Sequence, residues 1–491
     1  MINRRNAIQL ASAGFLVPTL GFAAAQGTPV ATPSVEGVAT PVASPVAETP
    51  ARANWNMVGG NPARSGVMPG PIPSIEMPVI GRWRYQPEND WFRNQELVIA
   101  DGVVYAHSSD HIHAVQADTG MEYWRYDLND YVTYLSHADG TLYVSMESGI
   151  QAVSTETGLQ MWFHGKSVDD GTPTPASEEF GSPVVVDSMV LVKGAGYINA
   201  LDPATGELHW QFPVTQGPPT IVVTGGLVFG SDENGAVALD VKTGDQVWRS
   251  TSTLGATAAS DKIVLMVGSD FLSGFDATLG QELWRNTISE ELVAIATDAD
   301  NHYEVLATYN NSGMYDVELQ ATDLKTGGLL WLHSVGTFSD IYDVEMRIVR
   351  HQLFLKLGSP ADILQFIDAT SGLKTWEYRG YIARDINPVA IDRNLYFVHD
   401  DELFCIGNLQ DPALISDVTL RAAPAESGLE RGTASAGDEI SDVGTRSENN
   451  DELWVEVTIG GITGWIPAAA IDPATLPPDG DVWVIFDPAW S

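Results

Sequence analysis

Two histidines one residue apart, in the stretch Asp110-His111-Ile112-His113, are the clearest offer of chemistry along this chain. On a β-strand, positions i and i+2 share a face, so both imidazoles could serve one metal ion. No third ligand is identifiable near them, and the expectation is a pair that is exposed or packed across strands. Asp298-Ala299-Asp300-Asn301 alternates oxygen donors as a calcium loop does, but lacks the glycine and terminal glutamate such a loop uses. Residues 167–180, SVDDGTPTPASEEF, place four carboxylates on one long connection. Loops on a rigid frame often carry binding, although a solvated loop is the expectation here. Cys405 is the sole cysteine and sits in the apolar stretch LYFVHDDELFCIG. It cannot form an intramolecular disulfide and reads as a small core hydrophobe. The chain has no Gly-x-Ser-x-Gly elbow, His-Glu-x-x-His pair or phosphate-binding glycine loop. No catalytic, cofactor-binding or metal residue is therefore assigned.

The elements that must position these residues are written as a repeat. NALDPATGELHWQF, residues 199–212, returns as HAVQADTGMEYWRY from 113, QAVSTETGLQMWFH from 151 and VALDVKTGDQVWRS from 237. Looser copies are SGFDATLGQELWRN from 273, QATDLKTGGLLWLH from 320 and QFIDATSGLKTWEY from 365. Each pairs a turn glycine (Gly120, Gly158, Gly206, Gly244, Gly280, Gly327, Gly372) with a tryptophan four residues on (Trp124, Trp162, Trp210, Trp248, Trp284, Trp331, Trp376). The glycine permits the positive φ of a tight turn, and the preceding aspartate can accept backbone N–H bonds across it. The tryptophan falls on an outer strand, where covering the neighbouring unit would bury ~150–250 Å², an upper estimate of ~4–6 kcal/mol. Between frames lie two further alternating strands joined by hairpin dipeptides such as Asp101-Gly102, Asp139-Gly140 and Gly225-Gly226.

Four antiparallel strands recurring every 36–48 residues predict a β-propeller. After Trp376 come three strands with no fourth, while GRWRYQ at 81–86, carrying Trp83, is an outer strand with nothing before it. Joined, they predict an eighth blade that closes the ring and hides its edges. The predicted fold class is all-β: an eight-bladed propeller of four-stranded blades, closed by N- and C-terminal strands, then a small β-barrel.

The pattern A-[LV]-D-x-x-T-G-x-x-x-W resembles the repeat of the pyrroloquinoline-quinone-like (PQQ-like) propellers, over about residues 54–410. NWNMVGGNPARSGVMPGP, residues 54–71, looks like the approach to the first blade in that family. The resemblance implies an eight-bladed ring shared by quinoprotein dehydrogenases and by the propeller lipoprotein of the outer-membrane β-barrel assembly machinery. Many of those dehydrogenases carry adjacent, disulfide-bonded cysteines over the quinone, a Ca²⁺ ligand set and an aspartate base. One cysteine cannot make that disulfide, and no carboxylate or amide here falls in a matching motif. The repeat itself welds blades and carries no chemistry.

From 417 onward, Val418-Thr419-Leu420-Arg421 with Pro424, Gly437-Asp438, Trp454 and Gly464-Trp465 resemble bacterial SH3-like domains, a family that often binds cell-wall peptides or glycans. Trp454 and Trp465 are expected in its core. The tail PDGDVWVIFDPAWS finds no assignment. Upstream, Arg4-Arg5, an apolar run and Ala23-Ala24-Ala25 read as a removable export signal cleaved after Ala25, with a twin-arginine character. The predicted organisation is a signal at 1–25, a Pro/Thr/Ala-rich linker at 26–53, the propeller at 54–412, the SH3-like domain at 413–472 and the tail at 473–491.

Charge narrows the partners. With 25 basic and 64 acidic residues the net charge is -39, which disfavours nucleic acid and anionic membrane surfaces. No other run approaches the length of a membrane span. The reading is an extracytoplasmic, non-catalytic scaffold or binding protein of the cell envelope, without cofactor, whose partner is a protein or a cell-wall component. The alternatives are a quinone- and Ca²⁺-dependent oxidoreductase, and an envelope-assembly or wall-attachment factor acting through the SH3-like domain.

Overall fold

The computed structural model describes residues 53–491 except 71–78, 88–89, 91, 93–96, 109, 129, 166–179, 215–220, 233, 252–254, 261, 342–343, 358–362, 380–386, 400, 409–412, 450–451, 473–474, 476–483 and 487–491. The expected signal, the expected linker up to residue 52 and nearly all of the acidic 167–180 connection thus lie outside the described residues.

Seven consecutive four-stranded antiparallel sheets, blades 1 to 7, span 98–127, 132–165, 184–213, 222–250, 255–287, 291–338 and 345–379. An eighth sheet takes three strands from 389–408 and its fourth, Val79–Tyr85, from the other end of the chain. Trp83 lies opposite Cys405 in that pairing. The hairpins between first and second strands follow from their dipeptides: Asp101 and Gly102 have φ of 52° and 79°, and Asp139 and Gly140 of 47° and 72°. Two consecutive positive φ values give the turn whose twist matches that of its strands.

Apolar clusters walk round the structure, each straddling neighbouring blades. Val98 and Ile112 of blade 1 pack with Leu135 and Val144 of blade 2. Tyr143 and Ile150 of blade 2 pack with Val190 and Leu201 of blade 3. The series continues through blades 3 to 7. The last cluster joins Phe354 and Phe366 of blade 7, Val389 and Phe397 of blade 8 and Ile99 and Val115 of blade 1, so the series closes on itself.

At seven seams an outer-strand tryptophan reaches forward into the next blade. Trp83 Nε1–H donates to Ala117 O, Trp124 to Thr155 O, Trp162 to Pro203 O and Trp210 to Val241 O, at 2.8–3.0 Å. Trp248, Trp284 and Trp331 repeat this on Ala277 O, Leu324 O and Ala369 O. The indole lies on the glycine of the turn it bonds. A Cβ added to Gly206, where φ is 71°, would run into the Trp162 ring, so the glycine is demanded by the neighbouring blade as well as by its own turn. Asp202 Oδ1 accepts from the N–H groups of Ala204 and Thr205 and from Thr205 Oγ1. These donors, the Thr205 N–H foremost, hold its carboxyl below the ordinary carboxylate range. Asp240, Asp276, Asp323 and Asp368 repeat the backbone capping.

Residues 54–70 take a course that the sequence does not announce. The segment is more than an approach to blade 1, since it winds inside the ring along the open edges of the innermost strands. Trp55 exchanges backbone bonds with Ile99 of blade 1, and Asn56 O accepts from His137 N of blade 2. Pro62 O, Ala63 O, Ser65 O and Gly66 O then accept from Val223, Ala259, Thr297 and Ile348 of blades 4 to 7, and Gly70 N donates to Ala390 O of blade 8. Blade 3 is met by Arg64, whose guanidinium donates to Ser182 Oγ and O as well as to Ile221 O and Val58 O. Trp55 is wholly buried and folds back over Gly60 (φ 79°), where any Cβ would collide with its ring.

Beyond the ring, Glu430–Ala434, Val418–Arg421, Ile462–Pro467, Glu452–Ile459 and Ile440–Asn449 form, in that order, a five-stranded sheet. Its own core contains Leu420, Val455, Val457, Ile466 and Ile471; Trp454 is buried as expected, whereas Trp465 is only half-buried. The otherwise unassigned tail supplies Val484–Phe486, which pairs antiparallel with the outer side of Val79–Tyr85.

Candidate functional site

Among the described residues, the richest grouping of titratable side chains lies at the closing seam, where Val79–Tyr85 of blade 8 faces blade 1. His111 and His113 lie on the third strand of blade 1, His111–Gln116. Alternation turns both to one side, toward the connection that leaves Tyr85. That connection supplies what sequence reasoning missed. Asp90 Oδ2 sits 3.0 Å from His111 Nδ1 and 3.0 Å from His113 Nε2. The pair is therefore more than packed or exposed, because it converges on one nearly buried carboxylate. Asp90 lies about twenty residues upstream in an irregular segment, so no local spacing reveals it.

Further polar groups surround this core. Asp110 Oδ1 lies 3.0 Å and Ser108 Oγ 3.3 Å from His111 Nδ1, while Asp127 Oδ1 lies 3.4 Å from His111 Nε2. His113 is fully buried, and its Nδ1 faces Tyr85 Oη at 3.1 Å and Glu122 Oε2 at 3.4 Å. Tyr85 also donates to Glu122. Burial foremost, then the Glu122 carboxylate, pushes the Tyr85 phenol well above its ordinary range, so it acts as a donor. Phe92 packs edge-on to His113 at 5.1 Å. One carboxylate bridging two imidazoles, each backed by a further carboxylate, can bind a cation or move a proton between its members.

The other candidates are placed without such convergence. Asp298 spends its oxygens on the turn, accepting from the N–H groups of Asp300 and Asn301 and from Tyr303 Oη, while Asp300 pairs with Lys325. Cys405 is 1% exposed, and burial pushes its thiol up to about 12, with Arg82 opposing. It is expected to resist a thiol reagent at pH 8 in the native protein and to react fully in denaturant; native-state labelling would show an accessible thiolate instead. At the seam of blades 5 and 6, His302 stacks on Trp284 at 5.1 Å, its Nε2 2.9 Å from Glu304 Oε1 but not aligned for a hydrogen bond. Both are buried, and Thr322 Oγ1 donates to the same Glu304 oxygen.

A family model described as "Outer membrane protein assembly factor BamB" matches residues 82–220 and 194–409. The outer membrane protein assembly factor BamB of Moranella endobia (strain PCIT) is 23% identical over 267 residues, 51% of this chain and 66% of that protein. The chain thus spans just under two thirds of that relative's length. Among solved structures, the quinohemoprotein alcohol dehydrogenase from Comamonas testosteroni is similar with a TM-score of 0.54 at 14% identity, over 72% of this chain and 80% of that one. The computationally designed Ika8 protein is similar with a TM-score of 0.50 at 15% identity, over 67% and 100%. An oxidoreductase and a designed protein share this ring, so at such identities the likeness concerns the fold alone. The two overlapping family matches cover two thirds of the sequence, and the chain belongs to the PQQ-like β-propeller repeat family that carries the BamB description.

Proposed function

We propose that this protein is an exported, non-catalytic propeller scaffold of the cell envelope that binds protein partners along its rim. The observation that carries this reading is the tail strand Val484–Phe486 seated on Val79–Tyr85, an outer blade edge that accepts an extended segment. Addition of a strand to an open edge is a general mode of peptide recognition, in which backbone bonds give affinity and side chains give selectivity. The outer strands of other blades carry exposed apolar side chains immediately before the frame tryptophan, namely Tyr123, Met161, Val247, Leu283 and Leu330. Such residues suit a protein interface better than a solvated surface.

Three further observations support the reading. The family description is that of an outer-membrane assembly factor, and a comparable assembly role suits a chain with an export-like N-terminus. Among the described residues no helix is long and apolar enough to cross a membrane. Along the ring axis, residues 54–70 pair with the inner strands and bring in the permanent cation of Arg64, which opposes Ca²⁺ rather than ligating it. Among the described residues, the buried thiol and this inner backbone favour the cofactor-free reading.

The test is affinity capture from envelope extract with the full chain, a chain ending at residue 412 and the rim variant Leu283→Arg/Leu330→Arg. The scaffold reading expects a reproducible protein partner that the folded rim variant loses. Retention on isolated cell wall that disappears on truncation at 412 would instead assign binding to residues 413–491, the five-stranded sheet with its tail. Capture indifferent to both changes overturns the rim.

A further inference from the structure

We propose that Asp90, His111 and Asp110, buttressed by His113, bind one divalent transition-metal ion of the zinc type at the seam where the ring closes. The three donor atoms lie within 4.8 Å of one another, with His111 Nδ1 3.0 Å from an oxygen of each aspartate. An ion with Zn–N and Zn–O bonds of about 2.0–2.2 Å holds tetrahedral ligand atoms roughly 3.3–3.5 Å apart. Small side-chain adjustments therefore suffice. One imidazole with two carboxylates favours zinc and its first-row neighbours over calcium, which takes six or more oxygens.

The surroundings are those a metal ligand set requires. A ligating group needs an outer partner to fix its orientation. Asp90 Oδ2 has His113 Nε2 at 3.0 Å, and His113 is itself fixed by Tyr85 and Glu122 on its other nitrogen. His111 presents Nδ1 to the aspartates while Nε2 faces Asp127 at 3.4 Å. Blade architecture does not demand these residues. The positions of His111 and His113 hold Gly149 and Gln151 in the next frame and Gly235 and Val237 in the third frame after their own, and none of the other six frames places a histidine at either. Packing is thus satisfied elsewhere without an imidazole, whereas here four carboxylates, Asp90 from the connection and Asp110, Glu122 and Asp127 from blade 1, gather around two of them.

An ion here would tie the connection leaving Val79–Tyr85 to the β-hairpin of blade 1, across the one seam where the two ends of the ring meet. Three protein donors leave a coordination position for water or for a donor from a partner.

The test uses the full chain, stripped with a chelator, dialysed and titrated with ZnCl₂ by calorimetry, with CoCl₂ as a spectroscopic substitute. One zinc ion per chain is expected, together with the visible bands of tetrahedral cobalt and a raised unfolding temperature that chelator reverses. His111→Ala, at a side chain 24% exposed, is expected to fold and to abolish all three signals. His113→Gln should weaken zinc binding about 10–100-fold, as loss of an outer partner does. His209→Ala, on the outer strand of blade 3, should leave binding unchanged. Absence of stoichiometric binding to the parent chain, or binding undiminished in folded His111→Ala, overturns the proposal.

Discussion

Replacing Arg64 with alanine is expected to lower the free energy of unfolding by about 3–5 kcal/mol, because three carbonyls and a hydroxyl inside the ring lose their donor together. Arg64 is 7% exposed, and its guanidinium ties together the approaches to two blades: Nη2 reaches Ser182 O before blade 3, and Nε reaches Ile221 O before blade 4. Each buried carbonyl left without a partner costs about 1–3 kcal/mol, and water entering the space offsets part of the sum. Arg64→Lys should recover only a minor share, since a point charge with three rotatable donors cannot reproduce the fixed fork. The Lys325–Asp300 pair is the control, with side chains 67% and 73% exposed, so Lys325→Ala should shift stability by no more than about 0.5 kcal/mol. Urea unfolding followed by tryptophan fluorescence reads all three variants. An Arg64→Ala protein as stable as the parent would mean that the segment does not clasp the inner strands.

Trp162→Ala should cost about 3–5 kcal/mol, the range for removing a large buried aromatic. The ring is 7% exposed, lies 6.0 Å from Tyr143, and its Nε1 bonds Pro203 O at 2.9 Å. A double-mutant cycle with Gly206 makes the test specific. Gly206→Ala alone is destabilising twice over, through its positive φ and through collision with the Trp162 ring. Once the ring is gone, only the φ strain remains. The double variant should therefore lose less than the two single losses added together, with a coupling of about 1–2 kcal/mol. Strict additivity would show that tryptophan and glycine do not meet across the seam. A destabilised seam should also give earlier proteolytic cleavage between blades 2 and 3 than elsewhere.

The two experiments probe parts of the fold that were unequally legible. The seams could be read from the sequence because seven copies of Gly-x-x-x-Trp carry one packing solution, and the spacing of Gly206 and Trp210 is that solution written once per blade. What spacing could not tell is that each glycine serves the tryptophan of the preceding blade, since that contact bridges two repeats. The 54–70 segment escaped for a physical reason: it bonds to each inner strand through only one or two residues, so no period of two or 3.6 builds up along it. Its glycines and prolines mark turns without saying round what they turn. The tail strand is three residues long, and only the open edge of Val79–Tyr85 makes it a strand.

The closing-seam cluster was half legible. Alternation placed His111 and His113 on one face, as the i, i+2 spacing requires, but Asp90 comes from an irregular connection and Glu122 from the neighbouring strand. Convergence of this kind belongs to tertiary structure. Cys405 was legible because a lone thiol between apolar strand residues has little else to do, and its position opposite Trp83 accounts for its burial.

The central claim, that the ring serves as a scaffold rather than as a quinone-dependent catalyst, is tested most directly by incubating the purified full chain with pyrroloquinoline quinone and Ca²⁺. Unbound ligand is then removed by gel filtration, and the absorbance of the denatured protein fraction is recorded. The account predicts no retained quinone and no dye-linked alcohol oxidation. Stoichiometric quinone released on denaturation, with turnover that depends on Ca²⁺, would contradict it.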